Sequence, residues 1–261
     1  MLRSERDKVY PDPVLPLDLA PDARITFLTG AGVSVASGIR PYRGPGGLWG
    51  EVDVSAWATA AAMARDPHGC FRAHHALAKL AAAARPNPAH QSIAAFAAAR
   101  PPGAVTVITQ NVDGLHQEAG SRDVIEVHGS LRRVRCTDGG CGARAAAPPP
   151  DAPLEAAPPC TRCGAPTRYD IVLFEEYLAP QDERAAKEAL RSCQVFIAAG
   201  TSGVVWPAAA YVREADYAGA RTVLVNLDAP TPANPYFHDV HLGRAEALLP
   251  ALLGVGHEAQ A

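Results

Sequence analysis

The apolar run ITFLT (25–29) stops at Gly30-Ala31-Gly32, and small residues follow it, VSVASG, before a Gly/Pro-rich loop, PYRGPGGLW, that carries an arginine. A buried strand that turns on two glycines into a helix start restricts the fold sharply. Such a turn lets the backbone approach a phosphate, which then lies against the positive end of the helix. Further apolar runs recur at 105–109, 124–127, 195–200 and 222–227, with alanine-rich helical stretches at 56–65, 70–84, 89–100 and 180–192. Short buried strands alternating with helices predict an α/β fold with a doubly wound parallel sheet.

The turn departs from the dinucleotide fingerprint of Rossmann-type dehydrogenases. The third glycine of that pattern falls at Val35, and no ribose-binding carboxylate stands at the usual spacing beyond it. A hydride-transferring oxidoreductase is therefore poorly supported.

Other polar clusters sit at the carboxyl ends of the strands, where open α/β sheets bind ligands. TQNVDGLHQEAG (109–120) follows VTVIT and offers Gln110, Asn111 and Asp113, an amide and carboxylate set suited to a carboxamide and ribose hydroxyls. In VIEVHGSL, His128 closes an apolar strand; it reads either as a structural histidine or as a general base near neutral pH. His116, in GLHQEAG, is the competing candidate, placed on a short helix where a structural role is expected. Gly200, Thr201 and Ser202 end the VFIAAG strand with groups suited to phosphate or ribose. Asn226 ends VLVNL, its amide fitting a ribose, with Leu227 and Asp228 beside it.

One segment breaks the α/β rhythm. Cys136 and Cys141 have four residues between them, Cys160 and Cys163 two, and 18 residues separate the pairs. Paired cysteines at such spacing close a tetrahedral metal site, and four thiolates leave no open position, so a structural Zn2+ is expected. The intervening ARAAAPPPDAPLEAAPP is too proline-rich for regular structure and is expected as a solvated loop. Cys70 and Cys193 read as buried bystanders.

The stretch GAGVSVASGIRPYRGPGGLW resembles the NAD-binding loop of the sirtuins, NAD-dependent protein lysine deacylases, at Gly30, Ala31, Gly32, Ser34, Ser37, Gly38, Ile39, Arg43, Gly44, Gly47, Leu48 and Trp49. TQNVDG, the HG pair and the four cysteines follow in the order of that family, from residue 24 to about 248. The resemblance implies that the first loop, with Tyr42, Arg43 and Trp49, closes over NAD. It implies that Gln110, Asn111 and Asp113 hold the nicotinamide end, that His128 is the catalytic base, and that Gly200–Ser202, Asn226–Asp228 and Ala245 contact the adenosine half. The implied reaction joins the acyl oxygen to the ribose and yields nicotinamide, free lysine and O-acyl-ADP-ribose. A protein mono-ADP-ribosyltransferase or a non-catalytic NAD-binding module would share the same pocket.

The acyl-lysine peptide is expected as an added strand near Phe174, Glu175, Gly203, Val204 and Val205. Three departures accompany the resemblance. The chain reads Phe174-Glu175-Glu176 where the family has Phe-Gly-Glu. Tyr42 and Ala36 replace a usual Phe and a common Glu. His74 and Leu77 stand where desuccinylating members carry a Tyr and an Arg, so a neutral acyl group is expected, with Arg72 or Lys79 as substitute cations.

The implied organisation is an N-terminal tail at 1–23, an NAD-binding domain from 24–130 and 170–261 with a helical insertion at about 40–85, and a zinc ribbon at 131–169. Composition agrees with a globular enzyme: 261 residues, 48% hydrophobic, 20% charged, net charge −3. That balance gives no reason to expect a nucleic-acid partner. No secretory leader pattern or spanning segment is read in the chain, so a cytoplasmic protein with reduced thiols is expected, a monomer acting on acylated proteins or peptides.

Overall fold

The computed structural model describes residues 15–41, 47, 53–201 and 208–255. The strands are β1 (Ile25–Thr29), β2 (Val105–Thr109), β3 (Val124–Glu126), β4 (Gly129–Cys136), β5 (Arg144–Ala146), β6 (Thr167–Ile171), β7 (Val195–Ala199), β8 (Arg221–Asn226) and β9 (Asp239–Leu242). The helices are α1 (Ala60–Arg65), α2 (Pro67–Ala83), α3 (Pro88–Ala98), α4 (Leu115–Glu118), α5 (Pro180–Ser192), α6 (Ala208–Tyr217) and α7 (Ala245–Leu252).

Six strands form one parallel sheet in the order β3-β2-β1-β7-β8-β9. Its central strands are mostly apolar, with the threonines of β1 and β2 among them, and are buried almost throughout because both faces are covered. Ile25, Phe27, Val107, Ile197 and Val223 point to one side and meet Ile93 and Phe96 of α3 and Leu248, Leu249 and Leu252 of α7. Their neighbours Leu28, Ile108, Phe196 and Leu224 point to the other and meet Leu190 of α5 with Tyr211 and Ala215 of α6.

A second sheet is antiparallel, with β4 between β5 and β6. Leu131, Val134, Tyr169 and Ile171 of this sheet pack against Ala62 and Met63 of α1 and Cys70, Phe71 and Ala78 of α2. The helical stretch between β1 and β2 thus covers the small sheet. β5 corrects the expectation that the whole run from Ala143 onward lacks regular structure: Arg144–Ala146 precede the prolines and pair with Arg133–Arg135 of β4. The segment after Gly30 is a 3-10 helix (Ala31–Ser37) closed by Gly38 at φ 85°. No helix among the described residues is long and apolar enough to cross a membrane.

Candidate active site

The chain leaves β1 towards β2 and β3 on one side and later builds β7, β8 and β9 on the other, so the crevice of the large sheet opens at the carboxyl ends of β1 and β7. There the Gly30 N–H donates to the Ala199 carbonyl (3.1 Å) and the Gly32 N–H to the Gly200 carbonyl (2.8 Å). A Cβ on Gly32 would stand 2.6 Å from the Gly200 Cα, and Gly200 itself has φ 60°. Two backbones meet here without side chains between them, which is the cradle a pyrophosphate needs. The residues present fit a dinucleotide.

A buried polar network lies beside this cradle. Ser34 Oγ donates to Asp113 Oδ2 (2.7 Å) and accepts from Asn111 Nδ2 (3.1 Å), which also donates to the Gly30 carbonyl (3.0 Å). The other Asp113 oxygen accepts the Leu115 N–H at 2.9 Å, fixing the carboxylate at the start of α4. Gln110 Nε2 donates to Thr201 Oγ1 (3.1 Å), bridging the two halves of the crevice.

Two further residues join this network. Asn87 caps α3 through the Ala89 N–H (2.9 Å) while its Nδ2 donates to the Val33 carbonyl (2.8 Å) and Ser37 Oγ (2.9 Å). His90, fully buried, lies 3.4 Å from Ser34 Oγ through Nε2. Burial lowers its pKa against the opposing pull of Asp113. Sequence reasoning assigned neither a role, although the Asn-Pro pair is a readable helix start.

His128 sits between the end of β3 and the first residue of β4. Its Nδ1 lies 2.9 Å from the Gln110 carbonyl, which can only accept, so Nδ1 carries the proton and Nε2 holds the lone pair of a neutral ring. Burial lowers its pKa, offset in part by the bond to Gln110. His116 is placed differently: it is 1% exposed and its Nε2 lies 2.8 Å from Thr29 Oγ1, which donates to Thr109 Oγ1 (2.9 Å). Burial, then His90, pushes it down to about 3. His116 ties β1 to α4 with its Nδ1 buried and unpartnered, whereas His128 is half-buried and its Nε2 makes no hydrogen bond among the described residues.

The chain crosses between the two sheets twice, and the crossings are bonded to each other: the Val172 N–H donates to the His128 carbonyl (2.9 Å). Beyond Val172, Phe174 pairs with the loop before α1, its N–H donating to the Ala58 carbonyl (2.9 Å) and its carbonyl accepting the Ala60 N–H (3.0 Å). Glu175 follows at φ 74°, the non-glycine residue at positive φ among those described. Glu176 is locked by Arg168, which donates to both carboxylate oxygens (2.6 and 2.9 Å) and to the Ile171 carbonyl (2.6 Å). Burial pushes the Glu176 carboxyl up, but Arg168 and the Leu173 N–H outweigh it and hold it below the usual range. Nothing in the sequence marks this pair, because its partners meet only through the turn after β6.

Other expected residues are spread more widely. Asn226 Nδ2 donates to the Asp228 carbonyl (2.9 Å), and the Gly243 N–H to the Asn226 carbonyl (2.8 Å), which brings the buried Ala245 at the start of α7 close to the end of β8. Leu227 and Asp228 are exposed; Ala31, Ser37 and Ile39 are half-buried along the 3-10 segment. His74 is buried edge-on to Trp57 (5.4 Å) and Leu77 lies against the small-sheet core. No hydrogen bond or ring contact among the described residues joins either to the crevice. The expectations at Tyr42, Arg43, Trp49, Ser202, Gly203, Val204 and Val205 fall outside the described residues.

The sulfur atoms of Cys136, Cys141, Cys160 and Cys163 lie within 4.8 Å of one another. Thiolates at about 2.3 Å from a tetrahedral ion are about 3.8 Å apart, so the cluster has the right size for a metal. Both knuckles show the expected outer support: the Asp138 N–H points to Cys136 Sγ and the Arg162 N–H to Cys160 Sγ, each at 3.4 Å. Backbone N–H groups of Arg162 and Cys163 bring the Cys160 thiol down to about 7.

Fold and crevice define a nucleotide-binding α/β protein with a four-cysteine module inserted at the seam of its two sheets. The chain belongs to the Sir2 family, whose model matches residues 30–207. It is 44% identical over 237 residues to NAD-dependent protein deacylase 2 of Pyrobaculum aerophilum, covering 90% of this chain and 92% of the relative. Its structure is similar to a Sir2 homologue in complex with ADP-ribose (TM-score 0.81, 35% identity, 90% of this chain and 92% of the other). It also resembles a Sir2–p53 peptide–NAD+ complex (TM-score 0.74, 28% identity, 88% and 92%).

Proposed function

We propose that this chain is an NAD-dependent protein deacylase, moving the acyl group of an acyl-lysine onto ADP-ribose, with one water consumed and nicotinamide and free lysine released. NAD, when bound, supplies the ribose carbon that receives the acyl oxygen, and nicotinamide as leaving group. The glycines at 30, 32 and 200 admit a pyrophosphate to bare backbone. Asn111 and Asp113, held by Ser34, orient the carboxamide end, and Gln110 with Thr201 spans the crevice. His128 Nε2 takes a proton from a ribose hydroxyl, turning it into the nucleophile that completes acyl transfer. The four thiolates suit Zn2+, which as a saturated ion holds the small sheet in shape.

The observation that carries this reading is the His128 Nδ1–H bond to Gln110, which fixes one tautomer at the mouth of a dinucleotide cradle. A neutral acyl group is the favoured substrate, because His74 and Leu77 offer no guanidinium to a carboxylate, and Arg72, one of the two substitute cations beside Lys79, donates to the Glu155 carbonyl at 2.7 Å. Incubation with NAD and acetyl-, longer-acyl- and succinyl-lysine peptides tests both points, with His128→Ala as control. Nicotinamide release that requires His128 and falls from acetyl to succinyl is expected. Equal release by wild type and variant would refute the mechanism, and mass spectrometry showing ADP-ribose on the target would favour the transferase instead.

A further inference from the structure

From its bond to His128 the chain runs on through Val172–Glu175. Val172 is bonded to the His128 carbonyl (2.9 Å), and Glu175 follows Val172 by three residues, a span of at most about 10 Å at about 3.3 Å per residue. If the acyl-lysine peptide adds as a strand near Phe174 and Glu175, as the deacylase reading expects, the residues flanking the acyl-lysine run beside this segment. One edge of the segment is taken, since Phe174 pairs with Ala58 and Ala60.

Glu175 is unusual here in two respects. Its backbone has φ 74°, a conformation that residues with a Cβ rarely adopt and that persists where the surroundings over-determine it. Its side chain is exposed, with Oε2 accepting the Ala61 N–H at 3.3 Å, and among the described residues no cation forms an ion pair with it. The adjacent Glu176 is fully engaged by Arg168 and the Leu173 N–H. Among the described residues, Glu175 is thus a carboxylate oriented by the first turn of α1 and without an ion-pair partner.

We propose that Glu175 is a specificity-determining residue that selects acyl-lysine substrates with a Lys or Arg within about three positions of the acyl-lysine; this rests on the deacylase reading. The substrate cation supplies the missing partner, and an Asp or Glu at the same place is repelled.

The test measures Kd by calorimetry for acetyl-lysine peptides flanked by Arg or by Glu, on wild type, Glu175→Gln and Glu175→Gly, with nicotinamide release followed in parallel. Wild type at low salt is expected to bind the Arg-flanked peptide about fivefold tighter than the Glu-flanked one. The ratio should fall towards one in both variants, and in 1 M salt, where screening acts within about 3 Å. A flat ratio in wild type, or one preserved in both variants, overturns the inference whatever the release. Absence of nicotinamide release overturns the deacylase reading whatever the ratio.

Discussion

The Nδ1–H of His128 donates to the carbonyl of Gln110, the residue that directly follows β2, so the sheet itself sets the tautomer of the ring. Because burial lowers the His128 pKa below its usual 6.5, the ring is neutral at physiological pH. The acid limb of the kcat/KM profile should therefore have an apparent pKa below 6.5, with activity falling as pH drops through it. His128→Ala should lose on the order of 10²–10⁴ in kcat while keeping NAD affinity, measured by steady-state kinetics and titration.

Breaking the Arg168–Glu176 pair should cost more than removing it. The Arg168 side chain is 6% exposed, so Glu176→Gln leaves a guanidinium short of its counter-charge and should cost about 3 kcal/mol in urea unfolding. Replacing both partners by apolar residues, Arg168→Met with Glu176→Leu, should cost distinctly less. Since the pair clamps the turn that presents Phe174, the single variant should also raise KM for the peptide more than for NAD.

His74 should make the fold sensitive to mild acid. Burial, reinforced by Arg168, lowers it from 6.5 to about 4. Below pH 6.5 the unfolded chain binds a proton that the native state refuses, so stability falls as pH drops from 6.5 towards 4, by about 3 kcal/mol. His74→Phe should remove this residue's share of the slope and leave that of the other buried histidines, read from thermal melts across that window.

Metal removal should act at a distance. A strong chelator, or Cys136→Ser, should release one zinc per chain in a colorimetric assay and lower Tm. Activity should fall with it, because β4 and β6 run from the cysteine cluster to His128 and Val172.

Much of this architecture is legible in the sequence wherever a local pattern suffices. ITFLT, VTVIT and VFIAA are rich in apolar and β-branched residues because they are buried on two faces, and the cysteine spacing points to a gathered set of four sulfurs. β4 escapes such reading, since GSLRRVRC mixes buried Leu131 and Val134 with arginines on its outer face and its pairing slips between Ser130 and Val134. β9, an edge strand reading DVHL, has exposed Val240 and Leu242 and carries little pattern. The 3-10 winding after Gly30 depends on backbone contact with Gly200, from the far half of the chain. The Asp113–Ser34 bond spans 79 positions, beyond any local pattern.

The two crossings between the sheets, at His128 and at Val172, are bonded strands lying side by side. His128 is held from both sides, its ring by Gln110 at the end of β2 in the large sheet and its carbonyl by Val172 just past β6 of the small one. The tautomer of the ring and the placement of its backbone are thus set from separate sheets of the molecule.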